Sequence, residues 1–276
     1  MSVDPEIEAK CKEISTNYSA CDVSDALLKL KIPQAGFLPD ILPLNNNNDN
    51  SPNPKPTTTI VAPLSTVLFV PKTPSSTGGT TPAIPQESNI PQDKHWTDLP
   101  APGTIVLLQQ PRGQICAVCG DILGTRLKVR GVRGIVADGR VRDVVALSGL
   151  CQPSSATSTS SSGEGGRGGE FTVWSRGTST VGTGLAAQAW CVDVPLSVSD
   201  DSATSSGASS SETETLQVRP GDIIVCDEGE RGSVVIPLAK LDEVLKLLPG
   251  LKEADEKCIA DVEGGVDVRE TFRRHR

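Results

Sequence analysis

Histidine is nearly absent from this chain: among 276 residues only His95 and His275 carry an imidazole. A closed zinc site therefore lacks ligands, because Cys116-Ala-Val-Cys119 has the CxxC spacing but no second such pair accompanies it. The eight cysteines are scattered through a chain too long to need a disulfide scaffold, so Cys116 and Cys119 read as buried apolar residues. Basic charge is also in deficit. A net charge of -8 and a pI near 4.9 leave no footprint for nucleic acid and no polybasic attraction to an anionic membrane. No run approaches the roughly 20 apolar residues of a transmembrane helix. The opening MSVDPEIEAKCKEI lacks the apolar core of a secretory signal. These absences predict a soluble cytoplasmic protein without nucleic-acid or membrane partners.

What is present divides into two kinds of sequence. Segments 45–59, 72–94, 152–170 and 199–214 are rich in Ser, Thr, Asn, Pro or Gly and cannot bury enough apolar area to order themselves. They are expected to be surface insertions, which cost little because loop-closure entropy grows slowly with length. About 200 residues remain, enough for one well-buried domain spanning 1–276. Cys21 to Leu30 reads as an amphipathic helix with Asp22 or Ser24 as its cap. Strands are expected at Thr59–Val70, Gly103–Gln109, Ile115–Val118, Gly134–Ala137, Phe171–Arg176, Ala187–Val194 and Ile223–Cys226. Helices are expected over Ile122–Arg130 and over Leu241–Leu248, the latter interrupted by Pro249-Gly250. This mixture makes the chain α/β or α+β.

The chemistry concentrates in Gly120 to Val144, GDILGTRLKVRGVRGIVADGRVRDV. Gly120-Asp121 opens a helix, an apolar strand follows, and an Asp138-Gly139 turn is expected to lead into Arg142-Asp143. Adjacent residues do not share a face of a helix or strand, so Arg142 and Asp143 can serve one pocket most easily at an irregular strand-to-helix junction. A carboxylate and a guanidinium there suit a divalent cation and an anionic oxygen substrate. A helix N-cap aspartate beside a solvated arginine fits the pair equally well. Free N–H groups at the helix start near Asp121 are suited to a carboxylate or a phosphate, such as the carboxylate of a small 2-oxo acid.

This stretch resembles the core of the RraA-like family, which includes class II 4-hydroxy-4-methyl-2-oxoglutarate aldolases and the bacterial regulator of ribonuclease activity A. The aldolase signature, GxxxD followed by twenty residues and RD, is matched at Asp121, Arg142 and Asp143. Ser15-Thr16 with Val23 to Leu27 is similar to the family's first helix. Val173 to Thr178 resembles its ARGT strand, and Val218 to Pro237 its PGDxIxxDxxGVxxxP hairpin. The resemblance implies a compact β/β/α fold of the swivelling-domain type and a homotrimer or hexamer with sites between subunits. It also implies Mg2+ or Mn2+ on Asp143, a water on the metal oriented by Asp121, and an enolate oxygen stabilised by Arg142. The backbone of Gly120 to Leu123 would hold the carboxylate of a small 2-oxo acid. The implied reactions are cleavage of 4-hydroxy-2-oxo acids to pyruvate and decarboxylation of oxaloacetate.

Two positions depart from that pattern. Ala117 replaces the first Gly of GxxxD. Val144, Val145, Ala146, Leu147 and Ser148 stand where the aldolases carry an acid soon after RD. Glu253 and Glu256 are candidates for an acid given to a neighbouring subunit. Lys128 would be the nucleophile of a Schiff-base aldolase, but a helical lysine is more commonly solvated. Arg126, Arg130, Arg133 and Arg140 read as solvated or interface charges, and Asp227 and Glu228 as hairpin residues. A binding module without catalysis is the rival reading, since one scaffold can carry either role.

Overall fold

A computed structural model describes residues 3–44, 57–73, 84–152, 170–198 and 215–276. In chain order they form α1 (Pro5–Asn17), α2 (Ala20–Lys29), β1 (Leu42–Pro43), β2 (Thr59–Pro71), β3 (Ile105–Gln109), α3 (Asp121–Val129) and β4 (Gly134–Val141). There follow α4 (Val144–Leu150), β5 (Thr172–Thr178), β6 (Ala187–Val192), β7 (Leu196–Val198) and β8 (Leu216–Val218). The chain closes with β9 (Ile223–Asp227), β10 (Gly232–Ile236), α5 (Leu241–Glu263) and α6 (Val268–His275).

The main sheet runs β1-β5-β4-β3-β2-β9-β10, with β6 added on β2. Its centre, β5-β4-β3-β2, is parallel, and the added strands are antiparallel. The end strands β1 and β10 touch, so the sheet is nearly closed. This is the expected mixed α/β class, and its layers follow from strand alternation. Val106, Ile135 and Val173 face α3 and α4, where Leu127 and Leu147 are wholly buried. Their neighbours Leu107, Val136 and Trp174 face the other way, against Leu196, Val198, Leu216 and Val218 of the β7–β8 ribbon. A third apolar cluster joins Ile14, Leu27 and Val244 of α1, α2 and α5 to Val225 and Val234 of the β9–β10 hairpin.

Local sequence explains most boundaries, including several that differ from expectation. α2 is capped by Ser19, not by Asp22 or Ser24. Ser19 and Asp22 form a capping box, each side chain accepting the other's backbone N–H. Ser15-Thr16 and Val23 to Leu27 lie on two helices, α1 and α2. α5 continues through Pro249 because Leu241, Val244, Leu248 and Leu251 bury one stripe on both sides of it. Ile115 to Val118 is not a strand: Ile115 is exposed, and the nearest bridge, Cys119 to Val141, is isolated and lies just beyond the segment. Asp138-Gly139 is not a turn either. β4 runs through both residues, with a register shift against β5 between Ala137 and Arg140.

Most of the four low-complexity segments lie outside the described residues. Residues 84–94 are described, and Asn89 there exchanges two hydrogen bonds with the backbone of Val192, at 2.7 and 2.8 Å. No helix among the described residues is long and apolar enough to cross a membrane.

Candidate functional site

Three chain segments meet beyond the carboxyl ends of the parallel strands, the place where open α/β sheets gather ligands. One is Cys116 to Asp121, between β3 and α3. The second is Arg140 to Val144, joining β4 to α4. The third is Thr178 to Thr183, after β5. Backbone bonds lace them together: Val118 N–H donates to Arg140 O (2.9 Å), Arg142 N–H to Cys119 O (3.0 Å) and Ala117 N–H to Val181 O (2.8 Å). The Thr183 hydroxyl donates to Ala117 O at 2.6 Å.

Gln110, buried at the end of β3, ties the first two segments. Its amide donates to Cys116 O at 2.6 Å, and its carbonyl accepts the Arg140 N–H at 2.8 Å. Gly139 makes room for it, since a Cβ there would stand 2.4 Å from the Gln110 Oε1. Sequence reasoning passed over Gln110, because its partners lie 6 and 30 residues away.

Asp143 occupies the junction. It is the N-cap position of α4, in the left-handed region at φ 56°, which aspartate tolerates better than most residues. Its side chain does not cap the helix. Instead, the carboxylate accepts from Arg142 Nε at 2.9 Å and lies within hydrogen-bond reach of the Asp121 backbone N–H and side chain. The Arg142 guanidinium, followed by these Asp121 contacts, holds the Asp143 carboxyl below the usual carboxylate range. Gly120 is required by this approach: a Cβ on it would stand 2.5 Å from Asp143 Oδ2 and 3.0 Å from Arg142 Cγ.

The structure therefore brings Gly120 and Asp121 against Arg142 and Asp143, and the latter two line a cavity of about 760 Å³. Arg140, Arg142, Asp143 and Thr178 to Val181 line it. Ile122 points away, 79% exposed, and its N–H bonds the Asp121 carboxylate at 2.7 Å. Leu123 packs partly buried against the core beneath α3. Two carboxylates in mutual reach, open to solvent and flanked by a guanidinium, suit a hard divalent cation that completes its shell with water.

The remaining candidates fall elsewhere. The Lys128 ammonium bonds Leu150 O and lies 5.9 Å from the centre of the Phe171 ring. Glu253 pairs with Lys257 on α5, a helix that packs chiefly on α2 and α6; Glu256 lies on the same helix. Arg126 pairs with Asp98. Asp227 accepts backbone N–H groups of Ala20, Gly229 and Glu230, and Glu228 accepts from the Thr58 hydroxyl. All eight cysteines are free, and burial pushes the Cys119 thiol up to about 12. A second acid escaped the sequence analysis. Asp138, only 1% exposed, pairs with Arg112 at 2.9 Å and with Arg176, which also approaches Asp40 at 3.5 Å.

Known proteins resemble the chain in sequence and in fold. The sequence profile of the family described as RraA-like, Aldolase/RraA, matches residues 20–235. A protein of Halalkalibacterium halodurans, provisionally named 4-hydroxy-4-methyl-2-oxoglutarate aldolase, is 26% identical over 164 residues. That match takes in 58% of this chain and only 60% of the relative's length. An uncharacterized protein from Pseudomonas syringae shares the fold with a TM-score of 0.63 at 19% identity, covering 99% of each chain. Streptomyces coelicolor RraAS2, described as an unusual member of the RNase ES inhibitor RraA family, gives 0.59 at 20% identity. That likeness covers 92% of this chain and 96% of the other.

Proposed function

The chain belongs to the RraA-like family, described as Aldolase/RraA, and on that premise we propose that it is a divalent-metal-dependent lyase forming pyruvate through its enolate. Its substrates would be 4-hydroxy-4-methyl-2-oxoglutarate-type acids and oxaloacetate, and it would work in the cytoplasm as a homotrimer or hexamer. One observation carries the reading. The acid pair Asp121 and Asp143 meets the Arg142 guanidinium at a glycine that leaves no room for a side chain, where Arg142 and Asp143 line an open cavity.

Asp143 would hold Mg2+ or Mn2+, which when bound supplies a Lewis acid for the 2-keto oxygen, with Asp121 beside it to orient a water. The residues themselves account for the rest. The backbone at Gly120 to Leu123 would receive the pyruvyl carboxylate, taking over the Asp121 N–H as Asp143 turns to the cation. Arg142 places fixed positive charge where the keto oxygen becomes an enolate oxygen, stabilising charge that exists only as the reaction proceeds. In aldol cleavage the C4 hydroxyl loses its proton and the C3–C4 bond breaks. One pyruvate leaves, and the enolate of a second takes a proton at C3. In decarboxylation the same bond breaks to release CO2 and the same enolate. Asp121 would accept the hydroxyl proton and return it at C3 through an intervening water.

A second reading, a protein-binding regulator on the same scaffold, draws on the start of α4. Val145 is 89% exposed and Ile122 79%, beside the position where aldolases carry an acid. The two readings part on one assay: pyruvate release from oxaloacetate and 4-hydroxy-4-methyl-2-oxoglutarate with Mg2+, Mn2+ or EDTA. The lyase reading expects metal-dependent turnover that vanishes in Asp143→Asn. Folded protein with no turnover above the metal-only background would favour the regulator.

A further inference from the structure

The cavity contains a cation that the catalytic cluster does not use. Arg140 and Arg142 both line it, two residues apart, while Val141 between them points into the core. Two residues of extended chain separate their Cα atoms by about 6.6 Å. Their partners differ in charge. Arg142 is neutralised by Asp143 at 2.9 Å. Arg140 donates to a neutral acceptor, Thr178 O, at 3.0 Å, and no carboxylate among the described residues pairs with it. The Ile122 amide already donates to the Asp121 carboxylate at 2.7 Å. The cavity wall around Arg140 adds Thr178, Ser179 and Thr180.

We propose that Arg140 binds the distal carboxylate of a dicarboxylic 2-oxo acid and thereby selects such substrates over monocarboxylic ones. The assignment rests on the lyase reading above and deepens it. The roughly 6.6 Å between the Cα atoms of Arg140 and Arg142 is on the scale of a chain of four or five carbons, with its keto end placed at Arg142. A planar guanidinium suits this role because it can grip a carboxylate with two parallel hydrogen bonds. Anchoring the far end of the substrate also fixes the C3–C4 bond relative to Arg142, so binding there is converted into orientation.

The test compares two substrates in one protein. One is 4-hydroxy-4-methyl-2-oxoglutarate, which has the distal carboxylate. The other is pyruvate itself, whose C3 proton exchanges with deuterium in D2O through the same enolate. Loss of one charge-assisted contact is expected to lower kcat/KM for the dicarboxylate, relative to the exchange rate, by about 10- to 100-fold in Arg140→Gln. The change should appear in kcat as well as KM, and Arg140→Lys should recover part of it. Equal losses in both reactions would mark Arg140 as merely structural and overturn the assignment, as would no change in either. Absence of metal-dependent exchange in the unaltered protein would overturn the lyase reading, and this assignment with it.

Discussion

Asp138 and Asp143 stand five residues apart on the same stretch of chain, and each is paired with arginine, yet they are used in opposite ways. The Asp138 side chain is wholly enclosed, held by Arg112 and by Arg176. Asp143 keeps a third of its side chain exposed, has one arginine, and faces a second carboxylate across the gap left by Gly120. A buried charge must be matched inside the fold, so Asp138 is spent on holding β4 to β5 and to the loop after β3. Asp143 is paired but not enclosed, and the neighbouring Asp121 is the acid with which it would share the proposed cation. Burial distinguishes the two aspartates, although both stand beside Arg, and only Asp143 is left open for the proposed chemistry.

Substitutions should pull these roles apart. The largest effect on activity is expected at Asp143→Asn, which keeps a residue tolerant of the left-handed backbone but removes the charge. Turnover should fall by about 10³-fold, while stability to denaturant moves within about 0.5 kcal/mol. Asp138→Ala should reverse the pattern. Leaving a nearly buried Arg176 without its main partner should cost about 3 kcal/mol, read as a lowered urea midpoint. If Asp138→Ala left that midpoint unchanged, the contrast would fail.

Smaller effects sharpen the picture. Gly120→Ala adds a methyl group where Asp143 Oδ2 now stands, and displacing that carboxylate should cost about 100-fold in turnover with little change in melting. The smallest effect concerns alkali. Cys119 is buried and its thiol is pushed from 9.0 to about 12, so the unfolded chain releases this proton first. Its contribution is therefore intact below pH 9 and is lost as pH rises towards 12. Stability measured from pH 8 to 11 should decline less steeply in Cys119→Ala than in the unaltered protein.

The local placement of the candidate site residues was legible because they lie close together in sequence. Asp121 opens α3, and Arg142-Asp143 lies at a strand-to-helix junction, as the neighbouring Gly and apolar residues imply. The expected turn at Asp138-Gly139 failed for a tertiary reason: Gln110 fills the space above Gly139 and allows β4 to continue with a shifted register. α4 was hidden by its composition. VVALSGL has two β-branched residues and a glycine, and only the burial of Leu147 makes it helical. α1 offers just two buried residues, Cys11 and Ile14, too few for a visible period. The Arg112–Asp138–Arg176 cluster spans partners 26 and 38 residues apart. Its one local signal was a charged residue at the end of the apolar run Gly134 to Ala137, which demanded a counter-charge.

The most direct test is a calorimetric titration with Mn2+ of the unaltered protein, Asp143→Asn and Asp138→Asn, each first shown to be folded. The account predicts saturable binding of one ion per chain that is lost in Asp143→Asn and retained in Asp138→Asn. Equal binding by the unaltered protein and Asp143→Asn, or no binding by either, would contradict it.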